Sequence, residues 1–102
     1  MARFDVFRFA SKSAPLVVDV QADLLGVLST RVVIPLSPLE RAEKEALPRL
    51  KPIIEIGGER YVLMTTDIAA LPVRRFGAFV ANVEADYRKE ITDALDFLLL
   101  GF

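Results

Sequence analysis

Thr65-Thr66-Asp67 sets two hydroxyls beside a carboxylate, an arrangement from which a nucleophile could be built. Such a hydroxyl needs a base within reach. The chain has no histidine, which removes the commonest general base and the commonest metal ligand. It has no cysteine either, so thiolate metal sites and disulfides are absent. Asp67, followed by Ile68-Ala69-Ala70, reads as the cap of a short helical turn. Asp19 and Asp23 form another candidate acid pair. They straddle a strand-to-loop transition, so a shared site is not implied, and solvated or turn-bonded carboxylates are expected. Gly57-Gly58 is no phosphate loop, because no Lys-Ser or Lys-Thr follows; it reads as a hairpin turn. These residues point away from catalysis. No cofactor and no metal are expected, and the chain is expected to act by binding another protein, not as an enzyme.

Residues suited to binding stand at the end of the chain, in Asp96-Phe97-Leu98-Leu99-Leu100-Gly101-Phe102. A helix advances about 100° per residue. Leu98 then falls on the stripe of Ile91 and Leu95, Leu100 falls nearly opposite, and Phe97 lies well away from it. One core cannot cover all of them, so Phe97, Leu100 and Phe102 are expected to face a second chain.

The 102 residues are 53% hydrophobic and 26% charged, the balance of one folded domain spanning residues 1–102. Thirteen basic and fourteen acidic residues leave a net charge of −1. That balance argues against direct nucleic-acid binding, which draws on a basic excess. The start, Met-Ala-Arg-Phe-Asp-Val, lacks an apolar signal core, and no apolar run has membrane-spanning length. No membrane partner is expected, and the cytoplasm is the default location.

The elements that must position these residues follow from periodicity. Residues 3–9, Leu16 to Val20 and Arg31 to Leu36 read as strands, with Pro35 marking a strand end or an edge. Ser37-Pro38-Leu39-Glu40 is a helix-start signature, with Ser37 as cap, for a short helix or turn running to about Ala46. Residues 53–56 and 59–66 form a hairpin about Gly57-Gly58. Asp67 to Leu71 reads as a turn or helical segment. From about Val80 to Leu100 the period is helical, with Val83, Tyr87, Ile91, Ala94, Leu95 and Leu98 on one stripe and Gly101 as the C′ residue. Strands first and one long helix last argue an α+β fold with a small antiparallel sheet.

Four strings stand in order: Leu16-Val17-Val18-Asp19-Val20-Gln21, Val33-Ile34-Pro35-Leu36, Met64-Thr65-Thr66-Asp67 and Leu71-Pro72-Val73. With the closing helix and its near-terminal Gly101, the chain resembles the CcdB family, toxins of bacterial toxin–antitoxin modules. The resemblance covers most of the chain, ungapped from about Leu16 to Gly77. It implies a twisted sheet related to SH3-like barrels and a homodimer. It also implies a function in plasmid maintenance: binding the DNA gyrase A subunit and trapping the gyrase–DNA cleavage complex, under restraint by a CcdA-like antitoxin. The implied gyrase contacts fall on Leu24 and Leu25, and on Asp96, Leu100, Gly101 and Phe102. Two positions depart from the family pattern: Asp96 stands for a polar residue, Asn in the best-known members, and Leu100 for a Trp. The alternative expectation is a homologue that dimerises and binds antitoxin but poisons gyrase weakly or not at all. RNA-cleaving toxins of the MazF type have a similar fold, so an enzyme is the third expectation.

Overall fold

A computed structural model describes residues 1–102. It contains seven strands: β1 (Asp5–Arg8), β2 (Leu16–Asp19), β3 (Thr30–Pro38), β4 (Ile53–Ile56), β5 (Glu59–Leu63), β6 (Ala69–Pro72) and β7 (Phe79–Asn82). Two α-helices join them, the single-turn α1 (Leu39–Ala42) and the long α2 (Glu84–Leu100). The strands form one curled, wholly antiparallel sheet in the order β4-β5-β3-β2-β1-β7, with β6 also paired to β3. The α+β expectation holds, hairpin and closing helix included.

Strand alternation builds two faces. Val6, Leu16, Val18, Ile34 and Leu36 point to one face and form the main core with Ile91, Ala94 and Leu95 of α2. Phe7, Val17 and Val33 point to the other face, where Phe9, Leu71 and Phe76 pack on them. Burying a side chain of this size stabilises by about 1.5–3 kcal/mol.

The central strand differs from its expected extent. β3 runs through Pro35, which sits at a fork. Thr30 to Val33 pair with β6, and Leu36 to Pro38 pair with β5. Pro35 needs no donor at that changeover, and its carbonyl accepts from Met64 N at 2.9 Å. The continuation through Ser37, paired with Val62, overrides the local capping signature. Pro38 occupies the cap position of α1, and Ser37 makes no cap hydrogen bond.

Three further expectations are corrected. Asp67 closes a 3₁₀ turn, Thr65–Asp67, whose cap position holds Met64, so it is not the cap. Residues 69–72 form a strand because β3 offers them an edge. The helix starts at Glu84, not near Val80, because Phe79 to Asn82 pair with β1. Asn82 then ends the strand: its side-chain carbonyl accepts from Glu84 N at 3.0 Å.

The glycine expectations hold. Gly57 and Gly58 turn the β4–β5 hairpin with φ of 61° and 83°, which only glycine adopts freely. Gly101 takes φ of 82° after α2 and donates to Phe97 O at 3.0 Å. No helix is long and apolar enough to cross a membrane.

Candidate functional site

Chemistry does not gather at the expected hydroxyls and acids. Thr65 is fully buried, and its hydroxyl donates to the carbonyl of Leu63. Asp67 is exposed. The Asp23 carboxylate is not turn-bonded: it accepts from Arg3 N at 2.8 Å, twenty residues away in the chain. Asp19 departs from expectation, because it is neither solvated nor merely turn-bonded. It is fully buried and accepts from Arg31 Nε at 2.7 Å and from Gln21 N at 3.0 Å. No group of three or more acidic side chains could hold a metal ion.

Apolar exposure gathers in two places. The first is the connection from β2 to β3. Leu24 and Leu25 lie on a 3₁₀ turn, Asp23–Leu25, with no buried residue. Leu24 and Val27 are each 93% exposed, and Leu25 and Leu28 are about half exposed. Four aliphatic side chains therefore stand in water on one short loop. Val27 and Leu28 escaped the sequence reading, although they continue the same apolar run past Gly26.

The second place is the end of α2. The stripe expected inside is inside: Val83, Ile91, Ala94 and Leu95 are buried, and Tyr87 and Leu98 are half-buried. Leu99, Leu100 and Phe102 are 70%, 61% and 73% exposed. Phe97 differs from the expectation of an outward face. It is half-buried, with the Arg49 guanidinium 4.3 Å from its ring centroid. Leu99 was missed; one step from Leu98 on the helix, it leaves the covered stripe.

Asp96 and Leu100 are one helical turn apart and share a face, and both are exposed. No basic residue occupies the last turn of α2, and Asp96 has no ion-pair partner. The carbonyl end of the helix and the Asp96 carboxylate thus combine negative charge beside apolar surface. Gly101 turns the chain so that Phe102 follows on the same exposed end. No hydrogen bond joins Leu24 or Leu25 to residues 96–102. The arrangement suits docking of another macromolecule through apolar side chains, with Asp96 able to receive a cation.

The family model described as CcdB protein matches residues 3–101. Among solved structures, the chain is similar to an endoribonuclease in complex with its cognate antitoxin from Mycobacterial species, with a TM-score of 0.75 and 19% identity. The match covers 100% of this chain and 96% of that one. At that identity the likeness establishes the fold.

Proposed function

The chain belongs to the CcdB family, and from that premise we propose that it is the toxin of a toxin–antitoxin module, a homodimer that acts by binding and not by catalysis. Its target in this reading is the DNA gyrase A subunit, which it holds on cleaved DNA, and a CcdA-like antitoxin restrains it. The observation that carries the reading is the exposed apolar end of α2, formed by Leu99, Leu100 and Phe102 beside Asp96. Apolar side chains clustered in water mark interaction sites. An unneutralised helix end with a carboxylate selects a partner that presents a cation. The test is induction of the chain without antitoxin, alongside binding to purified gyrase A. Growth arrest and capture of gyrase A are expected. Normal growth together with no capture removes the reading.

One position favours a second outcome. Leu100 stands where the family pattern has Trp, and an aliphatic side chain gives up a cation–π contact of about 0.5–2 kcal/mol. A homologue that binds antitoxin but spares gyrase would show tight antitoxin binding and unchanged supercoiling. Leu100→Trp then raises toxicity; if it does not, Phe102 already supplies the aromatic surface.

The fold is shared with an endoribonuclease, so RNA cleavage is the competing activity. It ranks lower because Thr65 is buried away from any substrate and the chain has no histidine. Incubation with RNA separates the readings; cleavage that survives purification would replace the binding mechanism.

A further inference from the structure

The β2–β3 connection is not a loose loop. Continuing the β2–β3 register places Gln21 opposite Arg31. Val20 N donates to Val32 O at 2.9 Å, as an antiparallel ladder requires. The return donor does not go to a backbone carbonyl. Val32 N donates instead to Gln21 Oε1 at 3.1 Å, so a side chain occupies the next rung. The same amide donates from Nε2 to Leu25 O at 3.0 Å, catching the 3₁₀ turn that carries Leu24 and Leu25. Gln21 itself is buried, and its backbone N–H donates to Asp19 Oδ1.

Beneath it lies a charged pair that packing alone does not favour. Asp19 and Arg31 are both buried, and Arg31 Nη2 has no partner. A buried ion pair with an unmet donor is a poor source of stability compared with apolar residues of like volume. It does fix geometry: Asp19 grips Gln21 and Arg31, the residues that flank the connection on either side. Gly26 closes over the guanidinium, since a Cβ there would lie 3.5 Å from Arg31 Nη1 and 3.2 Å from Asp23 O.

We propose that Gln21, seated on the buried Asp19–Arg31 pair, is a positioning residue that holds Leu24 and Leu25, the apolar tip of the connection, in their docking shape. Partner affinity thus depends on a side chain that does not touch the partner. The inference rests on the reading of Leu24 and Leu25 as part of the gyrase-binding surface. Its physical basis is preorganisation: a tip already ordered before encounter loses less conformational entropy on binding.

The probe is the purified gyrase A subunit, with Kd measured for four full-length chains: the parent, Gln21→Met, Leu24→Ala/Leu25→Ala, and the triple variant. Gln21→Met keeps the volume and removes both hydrogen bonds. It is expected to weaken binding by about tenfold, the scale of two neutral hydrogen bonds. In the Leu24→Ala/Leu25→Ala background the same change is expected to have no further effect, because the tip it positions is already disabled. Amide exchange is expected to accelerate at Leu25 to Val32 and to stay unchanged in β4 and β5, a local signature that global destabilisation does not give. Parent-like binding by Gln21→Met, or an equal loss in both backgrounds, overturns the positioning role alone. Unchanged binding by Leu24→Ala/Leu25→Ala overturns the docking role of the tip as well.

Discussion

The guanidinium of Arg49 lies 4.3 Å from the ring centroid of Phe97. A residue of the loop before β4 thereby covers one member of the apolar run at the end of α2. Leu99, Leu100 and Phe102 have no such cover. Arg49→Ala removes a cation–π contact worth about 0.5–1 kcal/mol at a partly exposed site. The free energy of unfolding in urea is expected to fall by that amount, lowering the midpoint, with Arg49→Lys in between. A midpoint unmoved by Arg49→Ala shows that the stacking does not stabilise.

Asp19 and Arg31 give a second prediction. Either residue alone leaves a buried charge uncompensated, so Arg31→Met is expected to destabilise by about 3–5 kcal/mol. The double replacement, Asp19→Leu with Arg31→Met, is expected to cost less than either single change. Thermal unfolding of the three variants measures the coupling. Additive losses contradict it.

Gly77 meets β1 at a point where no side chain fits. A Cβ there would stand 2.9 Å from the backbone oxygen of Arg8, which also accepts from Gly77 N at 2.8 Å. Gly77→Ala is expected to destabilise by about 1–3 kcal/mol through forced separation of β1 from the segment leading into β7. Chemical denaturation checks this, and a neutral result means that the Arg8 backbone gives way freely.

Tyr61 titrates above its ordinary value of 10.0. Burial is the main cause, followed by the hydrogen bond its hydroxyl donates to Glu59 at 3.0 Å and the charge of that carboxylate; Arg8 opposes the shift. Because the folded form holds the proton more tightly, this contribution to stability is full below pH 10.0 and is lost as pH rises through the elevated value. Tyrosinate absorbance is expected to show Tyr61 ionising late, and Glu59→Gln is expected to bring it forward. A titration unaffected by Glu59→Gln would falsify the assignment to that partner.

What could be read from the residues depended on how local the cause was. Gly57-Gly58 and Gly101 were legible because a positive φ is a property of one position. The buried stripe of α2 was legible because its period repeats over four turns. β6 and β7 were not, since Ala69 to Pro72 and Phe79 to Asn82 are short runs beside Pro72 and Gly77. They become strands only because β3 and β1, distant in the chain, present open edges. Ser37-Pro38 misled for the same reason, as pairing with β5 outweighed a local capping preference. The Asp19–Arg31 pair left a usable signal. Each lies one pleat from an apolar residue of the second face, Val17 and Val33, and opposite charges on that face can meet.

The pairing of β1 with β7 carries a further consequence. Translation releases β1 early, and its outer edge must wait for one of the last strands to be made. Helix α2, which shields the main core, emerges later still. A polypeptide abandoned midway on the ribosome would display Val6, Ile34 and Leu36 to proteases. Closing this side of the sheet therefore depends on β7 finding an edge laid down long before it in the chain.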